Sequence, residues 1–203
     1  MNLSKNEKLG LLLDVETTGL GPDSDEIIEL ALMLFSYQTD TGEILDIKDK
    51  DSFLREPISQ SAKYNYDQAY RVHGISYDTV RGKSFQDSKI IKYFTFADAA
   101  IAHNASFDRS FLYRMYPEVN ELDWYCSMRN IPWKAYGFPN SKLLTLLQSH
   151  KITNFQTHRA MDDITYLMEL LKKTNPLGDC YMKDLISKRP MRKYQPASQG
   201  YLG

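Results

Sequence analysis

Apolar positions along this chain fall into short blocks separated by turn signals. Leu9 to Leu13 is a nearly unbroken apolar run that leads into a Gly-containing turn, the pattern of a strand buried on both faces. The next run, Ile27 to Phe35, suits a strand or a buried helix by periodicity alone. The Thr39-Asp40-Thr41-Gly42 turn signal and the resumption from Gly42 to Ile47 decide for a hairpin, so a three-stranded antiparallel meander is expected to open the chain. Residues 57–95 read as helical pieces, with Ser84 placed to cap a helix running through Phe94. Ala97 to Ala102 reads as a buried strand of small residues, followed by a helix with Phe111, Leu112 and Met115 on one face before Pro117. Residues 118–139 show no regular period. Leu143, Leu144, Leu146 and Leu147 suggest a helix after Asn140-Ser141. A last helix, Ala160 to Lys173, carries the stripe Met161, Ile164, Leu167, Met168 and Leu171, and residues 190–203 read as a loosely held tail. Strands first, then alternating helices and strands, predict an α/β fold with a mixed sheet flanked by helices.

Length and composition narrow this picture. The 203 residues suit one domain with a substantial core. No apolar run approaches the roughly 20 residues of a membrane span and the first residues lack a signal-peptide pattern, so a soluble, cytoplasmic protein without a membrane partner is expected. Cys126 and Cys180 lack metal-site spacing and are expected as reduced thiols. The net charge of −1 is unevenly spread, with acids concentrated in the first fifty residues. Basic residues gather at the end, at Lys172, Lys173, Lys183, Lys188, Arg189, Arg192 and Lys193, a run that suits either a phosphate backbone or a solvated face.

Carboxylates stand where a core has no use for them. Asp14 and Glu16 follow the first strand and, being two apart, share one face about 7 Å from each other. Asp108 follows another buried strand, and Asp162-Asp163 follow His158. Such acids gathered in one cleft repel unless cations neutralise them, and hard divalent ions with oxygen ligands, Mg²⁺ or Mn²⁺, are the natural partners. On a helical wheel Asp163 lies about 90° from the centre of the apolar stripe and Asp162 about 170°, so Asp163 is expected at the cleft and Asp162 in solvent. His158 would sit beside the same cleft, where an imidazole can serve as general base.

The segments Asp14-Val15-Glu16-Thr17-Thr18-Gly19-Leu20, His103-Asn104-Ala105-Ser106-Phe107-Asp108 and His158-Arg159-Ala160-Met161-Asp162-Asp163 resemble the three motifs of the DEDDh (DnaQ-like) 3′→5′ exonucleases. The similarity runs in order from about Leu9 to Leu171, with particular likeness to the exonuclease X and polymerase III epsilon branches. It implies a ribonuclease H-like fold over residues 1–175, leaving residues 176–203 as a basic C-terminal extension. It implies two divalent metal ions on Asp14, Glu16, Asp108 and Asp163, with His158 as general base, a two-metal arrangement that clamps the scissile phosphate. Thr17, Thr18 and Leu20 are expected to line the pocket of the terminal nucleotide, Asn104 and Phe107 to contact sugar and base, and His73 to border the substrate. Thr17 and Thr18 equally suit the turn itself, Phe107 suits the core and His73 a structural hydrogen-bonding role. The aromatic side chains of Tyr64, Tyr66, Tyr70, Trp133, Tyr136 and Phe138 suit base stacking or packing. The implied substrate is nucleic acid, single-stranded DNA 3′ ends first, with release of nucleoside 5′-monophosphates. An RNase T-like exoribonuclease and a non-catalytic module of a polymerase assembly are the alternatives. Thr17 stands where oligoribonucleases of this superfamily carry Met. A DNA polymerase or a second copy of the chain is the expected protein partner.

Overall fold

The computed structural model describes residues 5–196. The described residues form a five-stranded sheet of order β3-β2-β1-β4-β5, with helices on both faces. Strand β1, Glu7–Thr17, is central. It pairs antiparallel with β2, Ile27–Gln38, which pairs antiparallel with β3, Ile44–Leu54, giving the expected meander. β3 is longer than the hairpin arm anticipated and carries its charges in the middle, Asp46 and Lys48 to Asp51, at the solvent-facing edge of the sheet.

Three helices, α1 (Gln60–His73), α2 (Tyr77–Val80) and α3 (Asp87–Phe96), lead to β4, Ala99–Ala102, which lies parallel to β1. α3 does not use Ser84. Its first turn starts at Asp87, with Gln86 in the capping position and no side-chain cap. Helix α4, Ala105–Met115, follows β4 directly. The stretch that lacked a period contains a fifth strand, β5, Asp123–Cys126, parallel to β4, and a short helix α5, Ser127–Asn130. Then come α6, Leu143–Ser149, α7, Ala160–Leu171, and α8, Tyr181–Ile186.

Strand alternation sorts β1 between two cores. Leu9, Leu11, Leu13 and Val15 pack with Ile90, Phe94, Phe111, Leu112 and Trp124 on one face. Leu12 packs with Ala31, Met33, Phe35, Ile164, Leu167 and Met168 on the other. The second face places Asp14 and Glu16, the next even-numbered residues, toward α7.

The C-terminal stretch is not a loose appendage. Tyr181, Met182 and Leu185 of α8 are buried in the second core, so the boundary expected at residue 175 falls inside the packed body. Gly42 permits this approach: at φ 73° it turns the β2–β3 hairpin, and a Cβ there would lie 2.4 Å from the backbone nitrogen of Lys183. Residues 191–194 are also tied down. Met191 N–H donates to the Trp124 carbonyl and Tyr194 N–H to Asn120 Oδ1, both at 2.8 Å. Arg109 donates to the Arg192 carbonyl at 2.8 Å and lies over the rings of Trp124 and Tyr194. Lys172, Lys183 and Lys193 pair with Glu169, Asp179 and Glu121, so part of the basic run is internally neutralised. The remainder of the expected tail, residues 197–203, lies outside the described residues. Leu185→Ala is expected to cost about 2–5 kcal/mol in urea denaturation, as a buried leucine truncation does; a loss under about 0.5 kcal/mol would show that α8 is not part of the core. Among the described residues no helix is long and apolar enough to cross a membrane.

Candidate active site

The pairing of β1 with β4 covers Gly10 to Leu12, whereas pairing with β2 continues to Thr17. Among the described residues, Asp14 and Glu16 therefore lie on a length of β1 with no strand paired on the β4 side. α7 crosses the same face and brings Asp163 in its first turn. Oxygen atoms of Asp14, Glu16 and Asp163 lie within 4.8 Å of one another. Asp163 is buried and Asp162 exposed, as the helical wheel predicts; Asp162 accepts a hydrogen bond from Thr157 Oγ1 at 2.8 Å. Asp108, 2% exposed in the first turn of α4, stands outside the mutual 4.8 Å set but close enough for its charge to act on Asp14 and Glu16.

These acids are held in a state that disfavours charge. Desolvation raises Asp14 well above the ordinary carboxylate range, with Asp108, Glu16, Asp163 and Glu29 adding repulsion. Burial, then Asp163, Glu29 and Asp108, push Glu16 up to about 9 against the opposing charge of Arg159. Burial raises Asp108 to about 7, opposed by backbone hydrogen bonds involving its own residue and Val15. Asp163 is raised by burial, although Gln156 donates to its Oδ2 at 2.6 Å and the charge of His158 lowers it. Its other oxygen, Oδ1, is buried without a hydrogen-bond partner. A converging set of hard oxygen donors, one of them orphaned, fits a divalent cation that the protein's own groups do not replace.

A pH dependence follows. Because the folded pKa values lie above those of the unfolded chain, the native state binds more protons and stability falls as pH rises from the ordinary carboxylate range through about 7 and 9. In chelator, melting temperature should therefore decline between pH 5 and 9, and Mg²⁺ or Mn²⁺ should restore it most at the alkaline end. A pH-independent melting curve in chelator would contradict the raised values.

Beside the acids lies a cavity of about 480 Å³. Its walls include Glu16, Thr17, Thr18, Gly19 and Leu20 from the β1 end, Phe107 from α4, and Asn65, Gln68, Ala69, Val72 and His73 from α1. Of the residues anticipated to touch a nucleotide, Asn104 alone does not line it; its side chain is exposed. Leu20, 85% exposed, forms the rim. The hydroxyls of Thr17 and Thr18 are engaged in the turn, donating to the Gly19 carbonyl at 2.6 Å and to Asp25 Oδ1 at 3.3 Å. Phe107 packs against Phe111 with ring centroids 4.9 Å apart and also faces the cavity. His73 is buried and lowered by that burial to about 4, hence neutral. Its Nδ1 accepts from the Ile75 N–H at 3.0 Å, which leaves the proton on Nε2, buried and without a partner.

Three contributions have no local signature in the sequence. Asp25 joins the two cavity walls: it accepts from the Gly21 N–H at 3.0 Å and from Asn65 Nδ2 at 2.9 Å, and its carboxylate lies so close to Gly19 that a Cβ there would meet it at 2.5 Å. Gln156 holds Asp163. Glu29, 1% exposed, stands opposite Glu16 in the β1–β2 register and receives a two-pronged bond from Arg159. His158 itself is exposed, in a left-handed backbone conformation (φ 51°), one residue before Arg159, which stands at the N-terminal boundary of α7 without a side-chain cap bond.

The fold resembles E. coli exonuclease I bound to single-stranded DNA, with a TM-score of 0.59 and 17% identity over 81% of this chain and 40% of that one. It also resembles a 3′-exonuclease that recognises a histone mRNA stem-loop, with a TM-score of 0.59 and 17% identity over 82% of this chain and 80% of that one. Among curated sequences, the PolC-type DNA polymerase III of Thermotoga maritima is 28% identical over 171 residues, and that of Listeria monocytogenes 32% over 158. These matches cover 80% and 75% of this chain but only 12% and 10% of the polymerases' length. Residues 11–171 match the family of exonucleases designated RNase T, and the chain belongs to that family, with a ribonuclease H-like exonuclease fold.

Proposed function

We propose that the domain is a metal-dependent 3′→5′ exonuclease that removes nucleoside 5′-monophosphates from single-stranded or frayed DNA ends. The observation that supports this most is the close-set Asp14, Glu16 and Asp163 carboxylates opening onto a cavity of about 480 Å³. Asp14, Glu16, Asp108 and Asp163 would hold Mg²⁺ or Mn²⁺, two ions by family resemblance, which when bound supply Lewis-acid stabilisation of the phosphoryl charge and a water acidified for attack. His158, exposed beside Asp163, takes the proton from the attacking water as general base. The cavity receives the terminal nucleotide: Phe107 offers a ring face, Thr17, Thr18 and Leu20 line the wall and rim, and His73 borders it.

DNA is favoured because the curated relatives are DNA polymerases and because Thr17 departs from the oligoribonuclease pattern. The neighbour that recognises histone mRNA supports a second reading, trimming of RNA ends. Association with a DNA polymerase belongs to the same proposal, and a homodimer is the alternative that light scattering would reveal. End-labelled DNA and RNA oligonucleotides, with chelator, Mg²⁺ or Mn²⁺, test the assignment. The expected result is metal-dependent release of mononucleotides from the DNA 3′ end, with a single 3′-terminal ribonucleotide giving a similar or lower rate. Faster cleavage of all-RNA strands would move the assignment to RNA, and hydrolysis in chelator would overturn it. In the same assay Asp162→Asn is expected to keep most activity, since its side chain is exposed and turned from the cluster.

A further inference from the structure

We infer that Glu29 and Arg159 are positioning residues that hold His158 at the site, an inference that rests on His158 being the base. Glu29 is an awkward occupant of a sheet interior. It lies opposite Glu16, carboxyl against carboxyl in adjacent strands, and is almost wholly buried. It is retained in a closed network: Arg159 donates from Nε to Oε2 at 3.1 Å and from Nη2 to Oε1 at 2.8 Å, the Ala160 N–H donates to Oε2 at 3.1 Å, and Ser52 Oγ to Oε1 at 3.2 Å.

Stability alone does not account for the pair: the Arg159 side chain is 44% exposed, and an ion pair with one buried member is often replaceable by apolar side chains at little cost. Geometry does. A bidentate guanidinium–carboxylate contact fixes both distance and orientation, and here it ties the residue after His158 to the strand beside Glu16. The residues before His158 are tied as well, Thr157 to Asp162 at 2.8 Å and Gln156 to Asp163 at 2.6 Å. Positions 156, 157 and 159 are thus pinned by side chains, while the imidazole at 158 stands outside the network. The left-handed backbone at His158 is one that a non-glycine residue keeps only when its neighbours impose it. Glu29, bonded to both Arg159 and the Ala160 amide, is the fixed point in the sheet from which that conformation is imposed.

The test is steady-state cleavage of a labelled single strand at saturating Mn²⁺, with melting temperatures taken in parallel. Glu29→Gln and Arg159→Lys should each lower kcat about ten- to a hundredfold, the usual effect of losing a supporting partner, with KM changed less than about twofold. In a His158→Ala background the same substitutions should change kcat less than about twofold, because there is no imidazole left to position. The double variant Glu29→Met/Arg159→Met, which leaves no unpaired buried charge, should fold and still be slow. Arg159→Lys keeps the charge and the fold; wild-type kcat in that variant overturns the inference, as do losses that multiply with His158→Ala. His158→Ala at the wild-type rate would overturn both the base assignment and its positioning, whereas a slow His158→Ala beside a fast Glu29→Gln overturns the positioning alone.

Discussion

Asp14→Asn should bring cleavage close to background while leaving the metal-free protein at least as stable as the unsubstituted one. The two halves have one cause. Asp14 is crowded by Asp108, Glu16, Asp163 and Glu29, and burial already holds its carboxyl well above its ordinary range. An amide of the same shape removes one source of repulsion, so the chelated domain should melt no lower. The lost charge matters only when a cation must be held. Removing a single hydrogen-bond donor from an oxyanion site costs about 10²–10³ in rate, and a bound divalent ion is a larger local charge than any such donor, so a loss of at least about a thousandfold is expected. Glu16→Gln, Asp108→Asn and Asp163→Asn should behave alike. Calorimetric titration with Mn²⁺ should show weaker binding in each; a variant with normal metal binding and normal rate would remove that residue from the ligand set.

His158→Ala should differ in kind. A general base contributes roughly 10²–10⁴ in rate, so turnover should fall by that factor while Mn²⁺ binding stays close to the unsubstituted value. Loss of metal affinity instead would make His158 a ligand. His158 lies near enough for its charge to lower Asp163, so part of any effect acts through that carboxylate. Comparing Mn²⁺ affinities of His158→Ala and His158→Lys, which keeps a positive charge without the imidazole, separates the two contributions.

The acids were legible because strand and helix periodicities act over a few residues. Asp14 and Glu16 share a face by alternation, and the apolar stripe of α7 turns Asp163 inward and Asp162 outward. Other features depend on partners far along the chain. Glu29 sits within an apolar run, and Arg159 meets it across 130 positions, so nothing local marks it as part of the site. β5 is four residues long and defined only by its pairing with β4; without alternation it reads as irregular. α8 is a six-residue helix whose buried Tyr181, Met182 and Leu185 are spaced around Lys183 and Asp184, part of a basic run that suited a solvated face. Ser84 looked like a cap because it precedes an apolar stretch, but the helix starts three residues later.

The charged outer strand has a bearing on how the domain keeps company. Among the described residues β3 leaves one side of an eleven-residue strand unpaired at the end of the sheet, the sort of border on which another chain can lay itself down. Asp46, Lys48, Asp49, Lys50 and Asp51 follow one another along it, and Lys48 and Asp46 already bond at 3.0 Å. A newcomer extending the sheet there would have to strip water from a row of alternating charges for the sake of backbone bonds. Cross-β stacking and strand exchange are thereby discouraged at this border, even where many copies are concentrated together.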